Sequence, residues 1–108
     1  MQQLNGIHFV LTPDCVNLLG VTDFSGSGIQ ALSAQLANIL GADVLALEWG
    51  ADRWQQRFEL DGRLYLLYME SVCEAVWIEP CKESDFSYLI SQLKLVGAEL
   101  TEGNETAF

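Results

Sequence analysis

The dipeptide Asp61-Gly62 joins two segments of matching pattern, "RWQQRFEL" and "RLYLLYME". It constrains the fold more than any other feature of the chain. A two-residue loop of this composition supplies the positive φ values that a tight hairpin needs. The turn also fixes the register. Leu60 faces Arg63, and stepping outward Phe58 faces Tyr65, Gln56 faces Leu67 and Trp54 faces Met69, all on one side of the sheet. Glu59 with Leu64, Arg57 with Leu66, Gln55 with Tyr68 and Arg53 with Glu70 share the other side.

Two further strand-like segments, "VLALEW" before this hairpin and "EAVWIE" after it, follow at spacings too short for crossover helices. The four strands are therefore predicted to form an antiparallel meander. Leu45, Leu47 and Trp49 extend the Trp54–Met69 face on one side, and Val76 and Ile78 extend it on the other. Pro80 ends the last strand.

Upstream, "GIHFVL" and "CVNLLGV" read as two extended segments separated by Pro13-Asp14, either of them suited to a sheet edge. From Ile29 to Leu40 the apolar residues recur at three and four, which predicts a helix with one buried stripe. Ser27 caps it, with Gln30 at the capping-box position, and Gly41 stops it. Ser84 starts a second helix whose apolar residues Phe86, Leu89, Ile90 and Leu93 run toward Gly97. The expectation is a single α+β domain over residues 1–97: an antiparallel meander sheet of four to six strands with two helices on one face. The acidic segment 98–108 has no period and is expected to fray, its terminal Thr106-Ala107-Phe108 included. The order β-α-β4-α over about residues 15–96 resembles the helix-grip or TATA-binding-protein-like architecture. That resemblance lies in the order of elements, implies helices gripping a curved sheet, and brings no function with it.

Half of the residues are apolar and 19% are charged, fewer than the roughly 25% of ordinary domains, as expected of a folded globular chain. No apolar run approaches the roughly 18 residues of a membrane span. The first residues, "MQQLNG", lack the basic and apolar regions of a secretion signal, so a cytoplasmic location is expected. Fifteen acidic residues against five basic ones give a net charge of −10. A field of that sign repels nucleic acid and anionic membrane surfaces as partners. The three cysteines, Cys15, Cys73 and Cys81, are odd in number and lack C-x-x-C spacing. They read as small buried thiols in a reducing compartment, with neither a disulfide framework nor a metal site. His8, the lone histidine, has no recognisable nucleophile beside it; no catalytic residue and no cofactor is expected.

Three places remain as candidates. Gly26-Ser27-Gly28, followed by Ala31, matches the form of a phosphate cradle at a helix start, and Glu48 stands at about the distance of a ribose-binding acid. The meander that follows denies the second βαβ unit a dinucleotide fold needs, and Asp23 and Glu48 add negative charge, so a capped helix start is the stronger reading. From Phe24 to Ala42 there is no charged residue, which suits a helix covered by another surface. Arg57 with Leu64, Leu66, Tyr68 and Trp77 forms the second sheet face, whose composition fits a ligand site or a protein contact. The expected function is a non-catalytic protein-interaction module, chaperone-like or homodimeric. The alternative is a small-molecule domain that takes a carboxylate or nucleotide on the open sheet face or at the glycine turn.

Overall fold

The computed structural model describes residues 6–50 and 52–103. In chain order it contains β1 (His8–Leu11), β2 (Val16–Leu19), α1 (Gly26–Leu40), β3 (Asp43–Gly50), β4 (Arg53–Leu60) and β5 (Arg63–Glu70). Then follow β6 (Ala75–Pro80), a 3-10 turn over Glu83–Asp85, α2 (Phe86–Leu95) and β7 (Leu100–Glu102). The strands form one seven-stranded sheet in the order β3-β4-β5-β6-β2-β1-β7. The α+β class is as expected, and β3 to β6 are the antiparallel meander.

The hairpin of β4 and β5 has the predicted register at every pair from Leu60–Arg63 to Arg53–Glu70. Asp61 and Gly62 take φ values of 52° and 81°. One side of these strands carries the buried Phe58, Leu60, Tyr65, Leu67 and Met69, continued by Val76, Ile78, Val16, Leu18 and Phe9. Both helices lie on that side. Ile29, Leu32, Leu36 and Leu40 of α1 and Leu89 and Leu93 of α2 join the sheet residues in a single core cluster, as amphipathic helices with one apolar stripe each must.

The sheet is larger than expected and mixed. β7 pairs parallel with β1, Phe9 opposite Leu100 and Leu11 opposite Glu102, so β1 is internal and the edges are β3 and β7. After α2, Gly97 turns the chain with a φ of 80°, and Phe9 N–H donates to the Glu99 carbonyl at 2.8 Å. The segment expected to fray from residue 98 is thereby ordered through Leu100–Glu102; Thr106-Ala107-Phe108 lie outside the described residues. An acidic, aperiodic segment gains order here because an unpaired strand edge supplies its hydrogen-bond partners.

Four local expectations are corrected. On β3, Val44 faces Phe58 but Leu47 faces Gln56, so one extra residue forms a bulge. It takes Leu45 off the core face and leaves it 42% exposed. The Gln56 amide, only 2% exposed, donates to the carbonyls of Leu45 and Ala46 at 3.1 and 3.0 Å, which satisfies a polar group the pattern placed in the core. The α1 cap is Ser25 rather than Ser27: its Oγ accepts from Gly28 N–H at 3.2 Å, and Gly41 closes the helix at φ 75°. The α2 helix begins at Phe86, after a 3-10 turn that contains Ser84. Cys73 and Cys81 are exposed and only Cys15 is partly buried, because the first two stand beyond the ends of their strands. Among the described residues no helix is long and apolar enough to cross a membrane.

Candidate functional site on the bare sheet face

Strand alternation puts Arg57, Leu64, Leu66, Tyr68 and Trp77 on the sheet face opposite both helices. One row crosses the sheet from Glu48 through Gln55, Tyr68, Trp77 and Asn17 to Val10. In the middle of it the Tyr68 and Trp77 rings stack, 5.1 Å apart and inclined at 22°. The Trp77 indole N–H donates to Glu79 Oε2 at 2.9 Å, and the Arg53 guanidinium stands 5.0 Å over the Tyr68 ring. A cross-strand aromatic pair of this kind is worth about 0.5–1.5 kcal/mol beyond its burial. The Tyr68 hydroxyl titrates above its ordinary range, first because it is partly buried and then because the Glu79 carboxylate lies near it; Arg53 opposes both effects.

Leu66 sits beside this pair, between Arg57 on β4 and Glu79 on β6. Leu64 follows at 37% exposure. The three arginines differ. Arg53 is engaged with Tyr68, and Arg63 stands 3.8 Å over the Tyr88 ring and 3.5 Å from Asp85. Arg57 has neither a ring nor a carboxylate partner among the described residues, and its side chain is exposed. A guanidinium in that position has its forked donors free.

The glycine turn is built differently. Gly26 lies against the ring of Trp54, and a Cβ on Gly28 would run into the Asp23 backbone. Asp23 Oδ1 accepts from the Ser25 hydroxyl at 2.6 Å and from the Ser25 N–H at 3.1 Å. Those two bonds hold its carboxyl below the usual range and set a negative charge at the positive end of α1. Ser27 Oγ lies 3.0 Å from Ser25 Oγ. Glu48 is not brought to this turn: Trp49 pairs with Trp54 on the helix side, which sends Glu48 to the bare face. The outward residues of α1, among them Gln30, Ala31, Ala34, Gln35 and Asn38, are exposed.

A family match spans residues 9–94, from β1 to the last turn of α2. The chain belongs to this family, the proteins of unknown function DUF3630. The DUF3630 region takes in every residue of the bare face named above and stops short of β7. No catalytic activity comes with the family description. No curated protein and no solved structure matches the chain. Pattern reading missed the contacts that tie the two ends together, His8 Nε2 with Thr101 Oγ1 at 2.9 Å and β1 with β7. No local periodicity carries a contact across 93 positions.

Proposed function

We propose that this protein is a non-catalytic interaction module that holds an apolar, basic segment of another protein on the bare face of its sheet. The observation that carries the reading is the stacked Tyr68–Trp77 pair beside Leu66 and an unengaged Arg57. A solvated sheet face is ordinarily polar, whereas this one offers aromatic and aliphatic area with an arginine at its margin, the composition favoured at the centre of protein contacts. The charge of −10 favours a cationic partner and opposes a second copy of the chain. Glu59, Glu70 and Glu79 stand around the apolar strip and meet that partner's lysines or arginines, while Arg57 donates to its carbonyl groups.

The test is amide chemical-shift mapping of the full chain with two extended synthetic peptides of equal apolar content, one carrying lysines and one carrying glutamates. The lysine peptide is expected to shift the amides of β4, β5 and β6, and Leu66→Glu and Trp77→Ala to abolish the effect. Shifts confined to other surfaces, or equal response to both peptides, would falsify the reading. A mass of two chains in light scattering that reverts to one in Leu66→Glu replaces the foreign segment by a second copy.

A further inference from the structure

The Tyr68 ring has two sides, and the order of the strands decides what meets each. β6 lies on one side of β5 and β4 on the other. Trp77 of β6 stacks on the ring at 5.1 Å, and the guanidinium of Arg53, on β4, stands 5.0 Å over it. The ring is thus held between an indole and a cation. Charge alone would not put Arg53 there. Its direct cross-strand neighbour is Glu70, yet among the described residues Arg53 forms no ion pair with Glu70 or with any other carboxylate. A planar, weakly hydrated guanidinium gains attraction from an aromatic face as well as from a carboxylate.

Arg53 also borders a shallow hollow of about 470 Å³, lined by Glu48, Trp49, Gly50 and Gln55 at the junction of β3 and β4. Gln55 stands directly opposite Tyr68, and Glu48 directly opposite Gln55, so the three share the bare face in one line. Glu48 has no ion-pair partner among the described residues. A side chain laid over Gln55 from the hollow has a carboxylate on one side. On its other side, once Arg53 turns away, it has the open side of the Tyr68 ring.

We propose that this place seats an arginine of the bound segment, its guanidinium over Gln55 against Tyr68 and facing Glu48, and that Arg53 fills the place in the free protein and turns aside on binding. The inference rests on the reading of the bare face as a protein-binding surface and names the side chain that surface selects. The guanidinium already on Tyr68 marks what the ring accepts. Lysine answers the negative charge of the face as well as arginine does, but only arginine presents a flat group to a flat ring.

The experiment titrates the full chain with two extended synthetic peptides of equal length, charge and apolar content, one carrying arginines and one lysines, and reads affinity from the Trp77 indole N–H signal. Removing one positive charge from the face strengthens both peptides alike, whereas uncovering the ring strengthens the arginine peptide more. Arg53→Gln is therefore expected to widen the preference for arginine over lysine by about two- to fivefold, the size of an exposed cation–π contact. Tyr68→Leu, added to Arg53→Gln, is expected to remove that gain. Glu48→Gln is expected to weaken the arginine peptide about two- to fivefold, as the loss of an exposed ion pair does. A preference no wider in Arg53→Gln, a gain that survives Tyr68→Leu, or an unchanged affinity in Glu48→Gln overturns the proposal, while binding of the peptides on β4, β5 and β6 leaves the reading of the face intact. Failure of both peptides to shift the signals of those strands, in the parent and in Arg53→Gln, overturns both.

Discussion

The ring of Trp54 closes on Gly26: a Cβ added at Gly26 would stand 2.8 Å from Trp54 Cη2. Trp54 is held in turn by Trp49, whose ring centroid is 4.4 Å away. Glycine opens α1 because a side chain of the adjacent strand occupies the space. Gly28 has a stricter neighbour, the backbone carbonyl of Asp23. In a free helix alanine is better than glycine by about 1 kcal/mol; here the order reverses. Gly28→Ala is expected to lose about 1–3 kcal/mol, the cost of overpacking, and Gly26→Ala less, since a ring can swing where a backbone cannot. Urea unfolding checks both, and a Gly28→Ala protein as stable as the parent would show that the Asp23 loop yields freely.

Gln56→Leu keeps the volume of a buried side chain and removes the donors that hold the β3 bulge. A loss of about 1–3 kcal/mol follows from leaving the carbonyls of Leu45 and Ala46 without that partner. Faster amide exchange should be confined to β3 and its β4 neighbours. Uniform acceleration through the sheet would count against the amide as the pin of the bulge.

Tyr65 is fully buried among core residues and its hydroxyl donates to the Asp85 carbonyl at 2.8 Å. Burial, and after it the Asp85 carboxylate, push its pKa up from 10.0 to about 12. The folded chain therefore keeps a proton that the unfolded chain loses. This contribution to stability is fully present below pH 10 and is lost as the pH rises through about 12. Tyr65→Phe should flatten the alkaline fall of the unfolding midpoint and, at neutral pH, cost about 1 kcal/mol for the hydrogen bond. An alkaline limb identical in both proteins would assign the fall to other groups.

Ser33 on α1 is buried, and its Oγ has no hydrogen-bond partner among the described residues. Removing an unsatisfied hydroxyl and adding a better helix former act in the same direction. Ser33→Ala is expected to raise stability by about 0.5–1 kcal/mol in urea titrations, and a lowered midpoint would mean that the hydroxyl is bonded in solution.

Arg57 can be changed at little cost to the fold, because among the described residues it has neither a ring nor a carboxylate partner. Arg57→Ala is expected to move stability by no more than about 0.5 kcal/mol, while Tyr65→Ala on the helix side loses several times that. A large loss in Arg57→Ala, read by thermal unfolding, would give Arg57 a structural partner.

Much of this architecture is legible in the chain because its signals are local. Asp61-Gly62 sets a register that propagates through eight pairs, and the alternation it imposes puts Arg57, Leu66 and Tyr68 together without any knowledge of the helices. Gly41 stops α1 for a reason contained in one residue. The bulge at Leu45 was not legible, since Gln56 shows its purpose only when it is seen to be buried. The choice of Ser25 over Ser27 as cap was hidden for a similar reason: it depends on where Asp23 and Trp54 press on the two glycines.

The sequence by itself determined the meander, both helices, the sidedness of the central strands and the acidic charge. Tertiary structure alone decided that β7 lies parallel to β1 and that Glu48 faces away from the glycine turn. Turn chemistry and periodicity act between residues a few positions apart and are written in the order of the chain. Pairing across the two ends of the chain is set by which edge is left open once the core has closed, and no short stretch of sequence contains that information.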